Sequence, residues 1–221
     1  MKIDKLICSK RKTIALQITD EAKLIVRAPY RVSEGVITKV INKHKKWIEN
    51  KKKDIEQRLN TYRPKEFVNG EGFLYLGISY KLQIVEKQDK PIIFENVFYL
   101  RRDCLPNARD LFIKWYKKEA YNKIRERVEF YAKQRGFKFN TVKISNASKR
   151  WGSCSSKGNL NFSWRLIMAP LTVIDYVVIH ELAHIEVKNH SKRFWNIVKI
   201  MMPDYEKHRA WLKLSGYSLN L

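Results

Sequence analysis

Three of the five histidines lie within eleven residues, His180, His184 and His190, and the first two flank a glutamate in His180-Glu181-Leu182-Ala183-His184. On a helix, positions i and i+4 sit about 40° apart and one turn along the axis. Two imidazoles at that spacing can converge on one zinc ion at about 2.0–2.1 Å. Glu181 then points beside the metal, where a carboxylate can take a proton from an attacking water. A catalytic zinc needs a third protein ligand and an open position. His190 is six residues beyond His184, about 9 Å further along a straight helix, so the chain must turn before it can join. Lys188-Asn189 offers that turn, since Asn tolerates the left-handed conformation that often ends helices. Ser191 is then placed to cap a new helix through Phe194, Trp195, Ile197 and Val198. The expected chemistry is hydrolysis at one catalytic Zn2+, with His180, His184 and His190 as ligands and Glu181 as general base. Histidines that merely pack are the alternative, and a structural zinc site would leave Glu181 without a use.

The elements that must position these residues are legible upstream. Pro170 and the Thr172-x-x-Asp175 capping pattern start the histidine helix. Val173, Ile174, Val177, Val178, Ile179, Leu182 and Ile185 make it apolar almost all round, so it should be buried. The run Asn159–Met168 alternates, with Leu160, Phe162, Trp164, Leu166 and Met168 on one face, and predicts a single strand. A polar Gly/Ser/Asn loop and a short strand at 141–145 precede it. Leu111, Phe112, Trp115, Ile124, Val128 and Tyr131 mark a long helix from Ala108 to Gly136.

Near the N-terminus, Ile14, Leu16 and Ile18, followed by Leu24 and Val26, predict a hairpin ending at Pro29. Ser33-Glu34 opens a helix whose stripe runs through Val36, Ile37, Val40, Ile41, His44, Trp47, Ile48, Ile55 and Leu59, with His44 as a packed helical histidine. Arg63-Pro64, Gly70 and Gly72 break it, and strands follow at about 73–85 and 92–100. Asp103–Asn107 is the expected boundary between an N-terminal strand/helix region, 1–106, and a C-terminal domain, 107–221.

The 221 residues carry 45 Lys+Arg against 22 Asp+Glu, a net charge of +23. Both halves are basic: 23 basic and 13 acidic side chains in 1–106, 22 and 9 in 107–221. That field favours polyanions such as nucleic acid and weakens with salt. Cys8, Cys104 and Cys154 form no CxxC pair and do not suggest a disulfide scaffold. With no signal-peptide pattern and no bilayer-length apolar run, a cytoplasmic protein without membrane association is expected.

The segments Arg150-Trp151-Gly152-Ser153-Cys154, Asn159–Leu166, His180-Glu181-Leu182-Ala183-His184 and Asn189-His190-Ser191-x-x-Phe194-Trp195 resemble the YgjP-like metallopeptidases, which are often filed beside the M48 peptidases and are similar to SprT/Wss1-type proteases. The resemblance implies an α+β fold. A zincin-like C-terminal catalytic domain (long helix, small sheet, H-E-x-x-H helix) would follow a smaller α/β N-terminal region. It also implies that Asn159–Leu166 is an edge strand holding an extended peptide by β-addition, with Asn161 on it, and that Arg150–Cys154 lies close to the cleft. The spacing to His190 matches metzincins as well, but Val187 stands where they carry glycine and no Met-turn follows. M48 enzymes take a downstream Glu as third ligand, which makes Glu206 the rival to His190.

Tyr205, His208 and Arg150 are the candidate oxyanion donors. Trp151, Trp164 and Trp195 read as packing around the site, and Cys154 as a half-buried loop cysteine or a switch thiolate on the zinc. Three functions follow: a zinc metallopeptidase acting on polypeptides, with those near nucleic acid among its substrates; a zinc hydrolase of nucleotide phosphoanhydrides; and a non-catalytic basic nucleic-acid-binding protein. The second lacks an evident phosphate-cradling loop, and the third lacks its expected motifs.

Overall fold

Residues 1–63 and 64–221 form separate compact units in the computed structural model, which describes residues 2–19, 21–61 and 64–221. In the first unit, strands β1 (Lys5–Ser9), β2 (Ala15–Ile18) and β3 (Leu24–Pro29) make a sheet in the order β1-β3-β2. The predicted hairpin is the antiparallel β2–β3 pair; β1 runs parallel to β3 and carries too weak an alternation to stand out in the sequence. Helices α1 (Glu34–Lys43) and α2 (Lys45–Thr61) replace the single predicted helix, with a bend at His44 (φ −106°, ψ 14°). Ile37, Ile41 and Ile48 are buried against Leu24, Val26 and Ala28. The buried stripe is narrower than predicted: Val36 and Trp47 are exposed, and His44 is a surface histidine rather than a packed one. The side chain of Leu59 and the break at Arg63 lie outside the described residues.

The second unit begins with a four-stranded sheet of β4 (Gly72–Tyr75), β5 (Ile78–Val85), β6 (Ile92–Phe94) and β7 (Phe98–Arg101), in the order β4-β5-β7-β6. The strand predicted at 73–85 is a hairpin. Leu76 (φ 49°) and Gly77 (φ 84°) both take the left-handed conformation that a two-residue turn of this hand requires. A Cβ on Gly77 would sit 2.8–3.0 Å from Pro170, and Leu76 N and Gly77 N donate to Ile167 O and Met168 O.

A 3₁₀ turn at Arg102–Asn107 then feeds helix α3 (Ala108–Arg135), which ends as predicted at Gly136, φ 72°. Phe112, Tyr116, Ala120, Ile124, Val128 and Ala132 recur every four residues as the buried face of α3. Phe112 stacks on Phe73 with ring centroids 4.3 Å apart and lies 5.2 Å from Phe98. Large aromatic burial of this kind is worth about 1.5–3 kcal/mol per ring. These contacts place 64–106 with the C-terminal unit and move the boundary from 106/107 to 63/64. Pro106 bends the chain without separating two cores.

Strands β8 (Thr141–Ser145), β9 (Gly152–Cys154) and β10 (Asn159–Ser163) form a third sheet in the order β8-β10-β9. The strand predicted to Met168 stops at Ser163, and a 3₁₀ turn follows at Trp164–Met168. Leu166, Ile167, Met168 and Ala169 are all buried, which a two-residue alternation cannot achieve and a helical turn can. Helices α4 (Leu171–Glu186), α5 (Lys192–Met201) and α6 (Tyr205–Ser215) complete the unit.

The predicted capping box does not form, because Asp175 has another partner. Arg127 on α3 donates to its two carboxylate oxygens, Nε to Oδ1 at 2.6 Å and Nη2 to Oδ2 at 3.0 Å. This largely buried bidentate pair clamps α4 to α3. Among the described residues, no helix is long and apolar enough to cross a membrane.

Candidate metal centre

Helix α4 brings buried polar groups to the interior of the unit. Tyr176 and Val177 precede His180, Glu181 is 5% exposed, and Leu182 and Ala183 are fully buried behind it. The helix stops at Glu186, and Val187 takes extended angles (φ −130°, ψ 107°). The turn that follows uses no left-handed residue; instead the Asn189 side-chain oxygen accepts from Ser191 N at 3.3 Å. Ser191 occupies the cap position of α5 with extended angles, but its hydroxyl makes no capping bond.

This turn folds His190 back onto α4. The ligand atoms of His180, His184 and His190 all lie within 4.8 Å of one another. His180 Nε2 and His190 Nε2 face each other at 3.0 Å. Two nitrogens held at 2.0–2.1 Å from one tetrahedral zinc lie about 3.4 Å apart, so the pair needs little adjustment to share an ion. His184 Nδ1 is 3.0 Å from Val187 O, a contact that makes Nδ1 the donor and leaves Nε2 free as a ligand. Phe194, fully buried on α5, supports all three rings at centroid distances of 4.9, 4.5 and 4.8 Å.

Burial, reinforced by His184 and His190, pushes the His180 imidazole down to about 3, and burial also lowers His184. Neutral imidazole is the form that binds a metal. His180 Nδ1 is buried without a hydrogen-bond partner among the described residues. Three convergent imidazoles, one with its tautomer set by a backbone carbonyl, fit a divalent transition metal such as zinc.

Glu181 lies beside this cluster and against the backbone of β9. A Cβ on Gly152 would meet Glu181 Cγ and Oε1 at 2.6 Å, so glycine makes room for the carboxylate. Burial pushes the Glu181 carboxyl up to about 7, against the opposing pull of the Arg150 charge. His180 and Glu181 open onto a cleft of about 340 Å³ whose other walls are Trp151, Gly152, Tyr176, Val177, Arg209, Leu212 and Lys213. Trp151 is held from behind by the turn that follows α6, where a Cβ on Gly216 would strike its ring at 2.6 Å.

The remaining sequence candidates are placed differently. Glu206 is exposed on α6 and outside the histidine cluster, where it accepts from Tyr205 Oη at 3.4 Å. Tyr205 is buried and stacks on Trp195 at 5.3 Å and Tyr176 at 6.3 Å. His208 faces Asp204 at 3.4 Å and does not line the cleft. Arg150 is exposed in the loop just before β9.

Asn161 sits on β10, the central strand, paired on one side with Lys143 and on the other with Ser153. The strand expected at the edge is therefore interior, and β9 is the edge next to Glu181. Burial raises the Cys154 pKa and keeps its thiol protonated; Sγ donates to Ser155 O at 3.4 Å. Arg209 and Lys213 were not among the sequence candidates, because α6 reaches the cleft only through tertiary packing; Tyr176 was not either, although it stands on α4 one turn before His180, a spacing that could have found it.

A buried glutamate beside a convergent histidine cluster is the architecture of a metal-dependent peptidase, and comparison with known proteins agrees. The chain belongs to the YgjP-like family, whose metallopeptidase domain matches residues 12–215. That match includes most of the N-terminal unit. The crystal structure of the metallopeptidase zymogen of Pyrococcus abyssi abylysin superimposes with a TM-score of 0.38 and 23% identity, covering 41% of this chain and 94% of that chain. A search of curated proteins returned no match.

Proposed function

We propose that the protein is a zinc endopeptidase of zincin type, with His180, His184 and His190 holding one zinc and Glu181 acting as general base. The observation that carries this reading is the Glu181 carboxylate, buried against Gly152 and opening with His180 onto one cleft. When bound, zinc supplies Lewis acidity toward the scissile carbonyl and acidifies water at the site. Glu181 takes the proton from the attacking water and passes it to the departing amine nitrogen. Its poise near neutral pH suits both transfers.

Strand β9 is hydrogen-bonded within its sheet to β10 alone, so its outer edge is the surface that would hold an extended peptide by strand addition. Tyr176 is better situated than His208 to supply the oxyanion donor, since it lines the cleft. The +23 charge makes proteins bound to nucleic acid the first substrates to try.

The test incubates metal-loaded wild-type and Glu181→Gln protein with denatured proteins and, separately, with nucleoside triphosphates. Glu181-dependent cleavage of the polypeptides is expected. Glu181-dependent hydrolysis of the nucleotides alone would replace the peptidase reading with that of a phosphoanhydride hydrolase. Repeating the protein digestion with DNA across a salt series tests the polyanion contribution, and unchanged turnover counts against it.

A further inference from the structure

Two cations on the cleft wall have no counter-ion. Arg209 and Lys213 are one helical turn apart on α6, so both project from the same face. Neither makes an ion pair with any acid among the described residues. The acids nearest in sequence are engaged elsewhere: Asp204 faces His208, and Glu206 accepts from Tyr205. The Arg209 guanidinium lies over the Trp195 ring, 4.9 Å from its centroid, which orients the head group without neutralising it. Elsewhere in this unit Arg125, Arg127 and Lys123 all pair with carboxylates on their own or a facing helix. Among the described residues, Glu181 is the sole acid lining the cleft. Beside the two cations the wall is apolar, formed by Trp151, Val177 and Leu212.

We propose that Arg209 and Lys213 make this cleft selective for a peptide carboxylate next to the scissile bond, with the apolar wall receiving the aliphatic part of the same residue. This selectivity rests on the peptidase reading. Charge-assisted bonds from a guanidinium and an ammonium are directional and strong for carboxylate, and the apolar wall rewards the methylenes that carry it. A glutamate side chain and the α-carboxylate at a chain end are two sources of that chemistry.

The experiment uses metal-loaded full-length protein and two matched peptide pairs. One pair is amidated at the C-terminus and differs only by Glu against Gln beside the cleaved bond. The other is neutral in sequence and differs by a free against an amidated C-terminus close to that bond. The acid member of at least one pair should be preferred about tenfold in kcat/KM, which identifies the source. In the Arg209→Gln/Lys213→Gln double variant that ratio should fall close to one; both residues are exposed, and circular dichroism checks the fold.

The same pairs are also titrated against Glu181→Gln protein by fluorescence anisotropy, at low and high salt. The acid member should bind more tightly, with the difference shrinking as salt rises. No preference in either pair, or one that survives in the double variant, would overturn the carboxylate site. If wild type cleaves no peptide, the peptidase reading fails, and the anisotropy titration still decides whether the cleft selects carboxylates.

Discussion

Two clefts of about 340 Å³ each, one in either unit, differ in everything except size. The cleft of the N-terminal unit is lined by Ile14, Leu16, Val40, His44 and Trp47. Its histidine is solvent-exposed and sits among apolar neighbours. The cleft of the C-terminal unit has one histidine of a convergent triad, a buried carboxylate and two cations without counter-ions. Charge density runs the other way: residues 1–63 carry 17 basic and 7 acidic side chains, a steeper excess than in the longer second unit. Chemistry is therefore located here by polar groups held out of water and aimed at one point, not by cavity volume or net charge.

The sharpest way to break the comparison is to remove one histidine from each cleft. His180→Ala should cut bound metal from about one equivalent to a small fraction and abolish peptidase activity, whereas His44→Ala should retain both; metal analysis of the purified variants checks it. Glu181→Gln separates the proposed base from the proposed ligands. It should keep the metal and lose between about 10² and 10⁴ in kcat.

Stability offers the next contrast. Arg127→Met leaves Asp175 buried without its partner and should cost about 3–5 kcal/mol by urea unfolding. Truncating exposed Trp47 in the other unit should cost far less.

Glu181 itself should be a measurable burden in the metal-free protein. Burial pushes its carboxyl up to about 7 in the folded protein, from an ordinary 4.5 in the unfolded chain. Between those values the folded state holds more protons, so stability falls as pH rises through the window, and the penalty is complete above it. Glu181→Gln should then stabilise the metal-free protein by up to about 3 kcal/mol at pH 8 and by little at pH 4. Equal melting shifts at both pH values would contradict the buried-carboxyl picture. The smallest effect belongs to Gly152→Ala, whose Cβ displaces Glu181; activity should fall about tenfold with the metal retained.

Much of this was legible in the sequence because it depends on short-range periodicity. The long helix and its glycine stop, the hairpin of the first unit, strand β8 and the histidine helix follow from spacing alone. The hairpin at Leu76-Gly77 and the 3₁₀ turn after Ser163 were not legible. Each looks like a continued apolar strand until another segment (Pro170 in the first case, the α3 face in the second) dictates where the chain bends. The capping pattern before the histidine helix misled for a related reason: Asp175 had a stronger partner on a distant helix.

Residue order alone set the candidate ligand types, the i, i+4 geometry and the glutamate between them, since a helix converts spacing into direction without outside help. It also required a turn before His190 could reach them. Long-range packing settled that the turn brings the three histidines together and leaves Glu206 outside, that β9 rather than β10 is the open edge, and that Gly152 makes room for Glu181. It alone brought Arg209 and Lys213 to the cleft. Those outcomes depend on which surfaces of separate elements bury each other, a long-range choice that no local period encodes.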